Sequence, residues 1–189
     1  MKRHREVEAR WLDLDKGSVL KKLGDIGAAS VGDFFFREWI FARPDWGKTF
    51  RRVRVRTDGK TTWLTYKANP TWAVDSTEEV EVTVSSAEDA VQLLQAADIP
   101  LVRFQEKKRK TFTHKGISFD VDEWPKIPMV LEIEAESEEK VKEGARLLGL
   151  LWSDAVFEDQ AVVHQKYYGI DLFSIAEYRF NDSSRKGKM

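Results

Sequence analysis

The sequence predicts an α+β domain built on an antiparallel sheet, and three observations carry that prediction. Several segments alternate strictly between charged and apolar residues, as strands with two different faces do. The links between them are short and rich in turn residues, which favours an antiparallel sheet over a doubly wound parallel one. Helical periodicity interrupts the strands. The chain has 189 residues, room for one full-sized domain. That domain is expected over residues 1–175, with a C-terminal extension and polar tail over 176–189.

The first strand covers 6–11, with Glu6, Glu8 and Arg10 on one face and Val7, Ala9 and Trp11 on the other. A helix follows over 16–27, carrying Val19, Leu20, Leu23 and Ile26. Residues 52–56 set Arg52, Arg54 and Arg56 against Val53 and Val55, and 63–67 set Trp63, Thr65 and Lys67 against Leu64 and Tyr66. Asp58-Gly59 between them signals a hairpin. Residues 79–84 oppose Glu79, Glu81 and Thr83 to Val80, Val82 and Val84. A helix over 86–97 opens at Ser85 with Glu88 three residues on, a capping-box pattern. A strand from Val102 to Phe112 carries Lys107 and Arg109 on one face. Residues 117–122 alternate Ile117, Phe119 and Val121 with Ser118, Asp120 and Asp122, and 131–134 alternate Leu131 and Ile133 with Glu132 and Glu134. Helices are expected over 138–149 and over 157–168, the latter ending at Gly169.

Composition narrows the function. Lys plus Arg number 31 and Asp plus Glu 32, so the basic excess of a general nucleic-acid binder is missing. The chain has no cysteine, which excludes disulfides, thiolate metal sites and thiol catalysis. Residues 1–12 are too charged for a secretory signal, and no apolar run reaches membrane-span length. A cytoplasmic protein with no membrane partner is the expectation.

The simplest meaning of such alternation is a sheet packed on helices with its charged face in water. Two details point elsewhere. Some strands carry acids and others Arg or Lys, with little Ser or Thr, and many strands do this at once. A sheet curled with that face inward would gather all these charges in one lumen. Buried charges need partners or a ligand. Cations with anions fit a polyanion clamped by Arg and Lys, with metal ions between it and the carboxylates.

At this point the residues resemble a known family. Glu6-Val7-Glu8-Ala9-Arg10 is similar to the ExExK signature of the CYTH family, the triphosphate tunnel metalloenzymes, which include class IV adenylyl cyclases and thiamine and inorganic triphosphatases. Arg54-Val55-Arg56 resembles its RxR strand, Leu64-Thr65-Tyr66-Lys67 its LTxK strand, Glu79-Val80-Glu81 its central ExE and Lys107-Lys108-Arg109 its KxR. Asp122 precedes Glu132-Ile133-Glu134 as an aspartate precedes the late EIE. Each motif is weak alone, and their combination in order on strands is specific. The resemblance implies a closed, eight-stranded antiparallel tunnel. It implies Mg²⁺ or Mn²⁺ held by Glu6, Glu8, Glu132 and Glu134 with Asp122 nearby, and a triphosphate against Arg10, Arg54, Arg56, Lys67, Lys107 and Arg109. Catalysis would involve Glu6, Glu8, Arg10 and Asp122, with Glu79 and Glu81 in support. The family usually has Lys where this chain has Arg10. Arginine does not surrender its proton, so base catalysis there is in doubt.

Three functions follow. A class IV adenylyl cyclase-like enzyme would convert ATP to cyclic AMP and pyrophosphate, and the LEIE strand and YGID segment lean that way. A triphosphatase would hydrolyse an inorganic, nucleoside or thiamine triphosphate. A non-catalytic binder would hold polyphosphate or a nucleotide. A monomer or a homodimer serves equally. Arg52 and Asp120 share faces with site residues and are expected near the tunnel mouth, whereas Lys166 is expected on a helix away from it. His4, His114 and His164 lack zinc spacing. Gly47-Lys48-Thr49 is rejected as a phosphate loop, since Ala42 stands where the first glycine is required. Trp11, Trp39, Trp63, Trp72 and Trp124 are expected as core or rim packing.

Overall fold

A computed structural model describes residues 4–49, 51–68 and 77–180, with the side chains of 4–6, 47–49 and 77 outside that description. In chain order the elements are β1 (His4–Trp11), α1 (Lys16–Asp25), β2 (Ala29–Phe41), β3 (Arg52–Thr57), β4 (Thr62–Ala68) and β5 (Thr77–Val84). Then come α2 (Ala87–Ala96), β6 (Leu101–His114), β7 (Ile117–Glu123), β8 (Val130–Ala135), α3 (Glu138–Leu147), α4 (Gln160–Tyr168) and the short β9 (Glu177–Tyr178). The expected α+β class holds. The strands run in the order β2-β3-β4-β5-β1-β8-β7-β6-β9, and β2 also pairs with β6. All pairings are antiparallel except β6 with β9.

The eight antiparallel strands curl into a half-barrel around their charged faces. Among the described residues the seam between β1 and β5 is short, running only from His4↔Glu79 to Glu6↔Thr77. Beyond it β1 turns to β8, from Val7↔Ala135 to Trp11↔Leu131. The sheet therefore splays at that seam and has the outline of an open half-barrel rather than clearly a closed one.

The apolar faces point outward onto helices. Ala9, Ile117, Phe119, Leu131 and Ile133 are fully buried beneath α1 and α3, with Leu23 and Val141 packed on them. Each of the larger of these side chains contributes about 1.5–3 kcal/mol when fully buried. Gly144 lets α3 approach closely, because a Cβ there would stand 3.0 Å from Cγ2 of both Ile117 and Ile133. On the other flank α2 sets Ala87, Ala90 and Leu94 against Phe41, Val53 and Val55. Trp124, Val130, Ala161, Leu172 and Tyr178 form a third cluster, which holds the C-terminal segment to the sheet. His164 is buried at its edge, against the rings of Trp124 and Tyr178.

Several boundaries shift. The N-cap of α2 is Ser86, not Ser85, and its hydroxyl accepts from the Asp89 amide at 3.1 Å. The last helix starts three residues later than predicted, at Gln160, because Asp159 caps it, and it ends as expected at Gly169 with φ 67°. The Asp58-Gly59 hairpin forms, with Asp58 Oδ1 accepting from the amides of Lys60 and Thr61 at 2.8 Å each. Strand β2 has no counterpart in the sequence reading. Trp72 and the polar tail lie outside the described residues.

Candidate active site

Alternation places every second residue of the curled strands in one concavity of about 420 Å³. Its lining includes Glu8 and Arg10 (β1), Arg52, Arg54 and Arg56 (β3), Lys67 (β4), Glu79 (β5), Lys107 and Arg109 (β6), Asp122 (β7), and Glu132 and Glu134 (β8). Strand registers explain the gathering. Arg10 stands opposite Glu132, Glu8 opposite Glu134, Arg109 opposite Asp122 and Lys67 opposite Glu79. The irregularities in the β2–β6 pairing fall near its ends, at Ser30/Gly32 and Ile40/Phe41. Lys107 and Arg109 therefore stay on the inner face with Arg103 and Gln105. The side chain of Glu6 lies outside the described set. Glu81 is absent from the lining but sits behind it, accepting from Thr65 Oγ1 at 2.7 Å. Lys166 is apart, on Glu158.

Along β1, β7 and β8 the charges pair tightly. Arg10 Nη2 lies 2.7 Å from both Glu8 Oε1 and Glu132 Oε2. Arg109 grips Asp122 with two bonds of 2.6 Å, reaches Asp120 at 2.5 Å and touches Glu132 at 3.1 Å. Such forked, charge-assisted bonds are strong. Burial alone would depress the Arg10 and Arg109 pKa values, but the facing carboxylates carry both above the ordinary range. Burial would likewise raise Glu132, yet Arg10 and Arg109 hold it well below the usual carboxylate range. Asp120 goes the other way, pushed up by burial and by its acidic neighbours.

On β3 the distances from Arg54 and Arg56 to Glu38 and Glu81 are longer. Arg54 lies 3.6 Å from Glu38 and 3.8 Å from Glu81, and Arg56 lies 3.6 Å from the same Glu81 oxygen. Arg56 is pushed down to about 10 by burial and by the neighbouring Arg54. Its guanidinium rests on the rings of Phe36 and Trp63, at 4.6 and 5.3 Å. Lys107, only 4% exposed, is also lowered, by burial and by Arg109.

Sequence reasoning missed Glu38, Arg103, Gln105 and Asp159, all in the lining. Glu38 is 1% exposed and accepts from Gln105 at 2.6 Å. Burial would raise its carboxyl, but Arg54, Lys107 and Arg56 hold it at about 2. Arg103 bonds Gln105 at 2.7 Å and the Leu172 carbonyl at 2.5 Å. Asp159, at the cap of α4, meets Arg52 at 2.6 Å. A strand alternation over 36–40 on the Glu38 face would have found the first, and extending the Lys107–Arg109 face back two steps would have found the next pair. No strand signal covers a helix cap.

Glu8, Glu132, Glu134 and Asp122 offer the oxygen donors that hard divalent cations take. Among the described residues no three acidic or imidazole side chains are gathered to hold an ion as they stand. Still, a cationic nitrogen already sits between Glu8 and Glu132 at bonding distance from each. The donor set therefore fits a cation.

Comparison with known proteins agrees with this layout. The family model of the CYTH domain matches residues 4–153. The fold is similar to that of the PH1012 protein of Pyrococcus horikoshii, at 20% identity over 82% of this chain and 96% of that one, with a TM-score of 0.72. A conserved hypothetical protein of Pyrococcus furiosus gives 23% identity, 82% and 97% coverage and a TM-score of 0.71. HpAC1 from Hippeastrum, an adenylyl cyclase candidate with a dominant triphosphatase activity, gives 13%, 88% and 98%, and 0.62. At these identities the likeness is one of fold. No curated protein matches the chain.

Proposed function

The chain belongs to the CYTH domain family, and on that premise we propose that it is a metal-dependent enzyme acting at phosphorus on a triphosphate held in the charged concavity. The observation that carries this is the β3 wall. Arg56 lies buried beside Arg54, 3.6 Å from Glu81 and with its Nε lacking a hydrogen-bond partner among the described residues, an arrangement that a polyanion would relieve. The pairing of β2 with β6 supports closure of the strands into a tunnel around it.

In this reading Arg54, Arg56, Lys67 and Lys107 bind phosphate oxygens and stabilise charge that develops on them in transfer. Arg10 and Arg109 contribute from the acidic side. Glu8, Glu132, Glu134 and Asp122, with Glu6, would hold Mg²⁺ or Mn²⁺. When bound, the ion would neutralise the triphosphate and make an attacking hydroxyl more acidic. Glu79 and Glu81 orient Lys67, Arg54 and Arg56.

Ile40, Ala42, Val102, Leu172 and Phe173 also line the concavity, an apolar end suited to an organic group. That favours an organic triphosphate, and a class IV adenylyl cyclase-like reaction on ATP as the first reading: the ribose 3′-hydroxyl attacks the α-phosphorus and pyrophosphate leaves. Hydrolysis is the second reading, supported by the dominant triphosphatase activity of the similarly folded HpAC1. Product analysis separates them. The protein is incubated with ATP or inorganic triphosphate, with Mg²⁺, Mn²⁺ or chelator. Cyclic AMP with pyrophosphate establishes the cyclase, metal-dependent orthophosphate establishes the triphosphatase, and no product from either substrate counts against an enzyme of this class.

A further inference from the structure

Arg10 is held more firmly than a phosphate ligand needs to be. Its main chain forms a bridge with Val156, donating at 2.9 Å and accepting at 2.8 Å. Its Nη1 donates to the Glu158 carbonyl at 3.0 Å. Its Nη2 spans Glu8 and Glu132 at 2.7 Å each, and the residue is 6% exposed. The guanidinium therefore occupies the place between two carboxylates that an oxygen-coordinated ion would take. An ion bound to either of those oxygens at about 2.1 Å would lie within about 5 Å of Nη2, a strong repulsion in a buried site. The Nε of Arg10 is also buried and has no hydrogen-bond partner among the described residues, which leaves a donor for an incoming phosphate oxygen.

We infer that Arg10 is a resident counter-cation that closes the Glu8–Glu132 pair to divalent ions until a phosphate oxygen draws it away. Metal then enters with the triphosphate, not ahead of it. This rests on the reading of the concavity as a metal and triphosphate site. It assigns Arg10 a positioning role: it sets the order in which the site fills.

The test is a Mn²⁺ titration of the substrate-free protein, read by electron paramagnetic resonance of the free ion. Wild type should bind Mn²⁺ only weakly, with Kd above about 1 mM. Arg10→Gln should bind it at least about tenfold more tightly, and Glu132→Gln added to that variant should abolish the gain. Should Arg10→Gln fold poorly, its melting temperature should rise with Mn²⁺ far more than that of wild type, since an ion that binds only the native state stabilises it. Wild type binding Mn²⁺ as tightly as Arg10→Gln, or a gain that survives Glu132→Gln, would overturn the inference. Its fate is separable from that of the proposed function. Turnover without a Mn²⁺ gain sinks only the role of Arg10, and a gain without turnover of any triphosphate sinks only the enzyme.

Discussion

The two walls of the concavity are built from the same residue types on the same kind of strand, yet they are neutralised differently. Arg10 of β1 and Arg109 of β6 meet carboxylates of β1, β7 and β8 at 2.5–2.7 Å. On β3 Arg52 meets Asp159 at 2.6 Å, whereas Arg54 stands 3.6 Å from Glu38 and Arg56 stands 3.6 Å from Glu81. The Arg10 and Arg109 charges of the first wall are neutralised by protein carboxylates. At Arg56 the second holds a buried guanidinium 3.6 Å from its carboxylate, in a place where charge is costly unless paired. The charged concavity can thus be divided into a part whose arginines are tightly paired and a part, around Arg56, that on the proposed reading receives the anion.

Substitutions should therefore act differently on the two walls. Glu132→Gln strips a carboxylate from both Arg10 and Arg109, and breaking a buried network of this kind should cost about 3–5 kcal/mol of stability, read by urea denaturation. Arg56→Ala should do the reverse. Turnover should fall about 10²–10³-fold, while the melting temperature holds or rises, because a poorly paired buried charge has been removed. A drop in melting temperature as large as that of Glu132→Gln would erase the distinction between the walls.

Glu38 is the β3 wall's partial counter-charge, and its pH dependence sharpens the comparison. Its folded pKa of about 2 lies below the ordinary 4.5. Its contribution is therefore present above pH 4.5 and lost as pH falls from there through about 2, a change of about 3 kcal/mol. Denaturation at pH 6 and pH 2.5 should show that loss, and Glu38→Gln should flatten it. The smallest effect belongs outside both walls. Lys166→Ala removes an exposed pair with Glu158 and should change stability by less than about 0.5 kcal/mol, with turnover unaltered.

The sequence made the two-faced strands legible wherever one face was charged and the other apolar without interruption, as at Arg52–Arg56 and Ile117–Asp122. Those stretches brought most of the cavity lining with them. Strand β2 escaped because Phe34-Phe35-Phe36 fills both faces with aromatics and erases the period of two. In the structure Phe36 packs inside against Arg56 and Trp63, while Phe35 faces out and is 42% exposed. Glu38 was lost with the strand. Asp159 was hidden for another reason: it reaches Arg52 from a helix cap that lies far away in sequence. Closure could not be read either, since the seam at β1 and β5 depends on how far the sheet twists.

The central claim is that the β3 wall receives the anion and the β1–β8 wall the metal. The most direct measurement is a crystal structure of the protein with Mn²⁺ and a non-hydrolysable triphosphate, using the anomalous signal of manganese. The account predicts phosphate oxygens on Arg54 and Arg56 and a manganese peak beside Glu8, Glu132 and Glu134, with Arg10 turned from the carboxylates toward a phosphate. A triphosphate bound outside the concavity, or manganese peaks only on the outer surface, would contradict it.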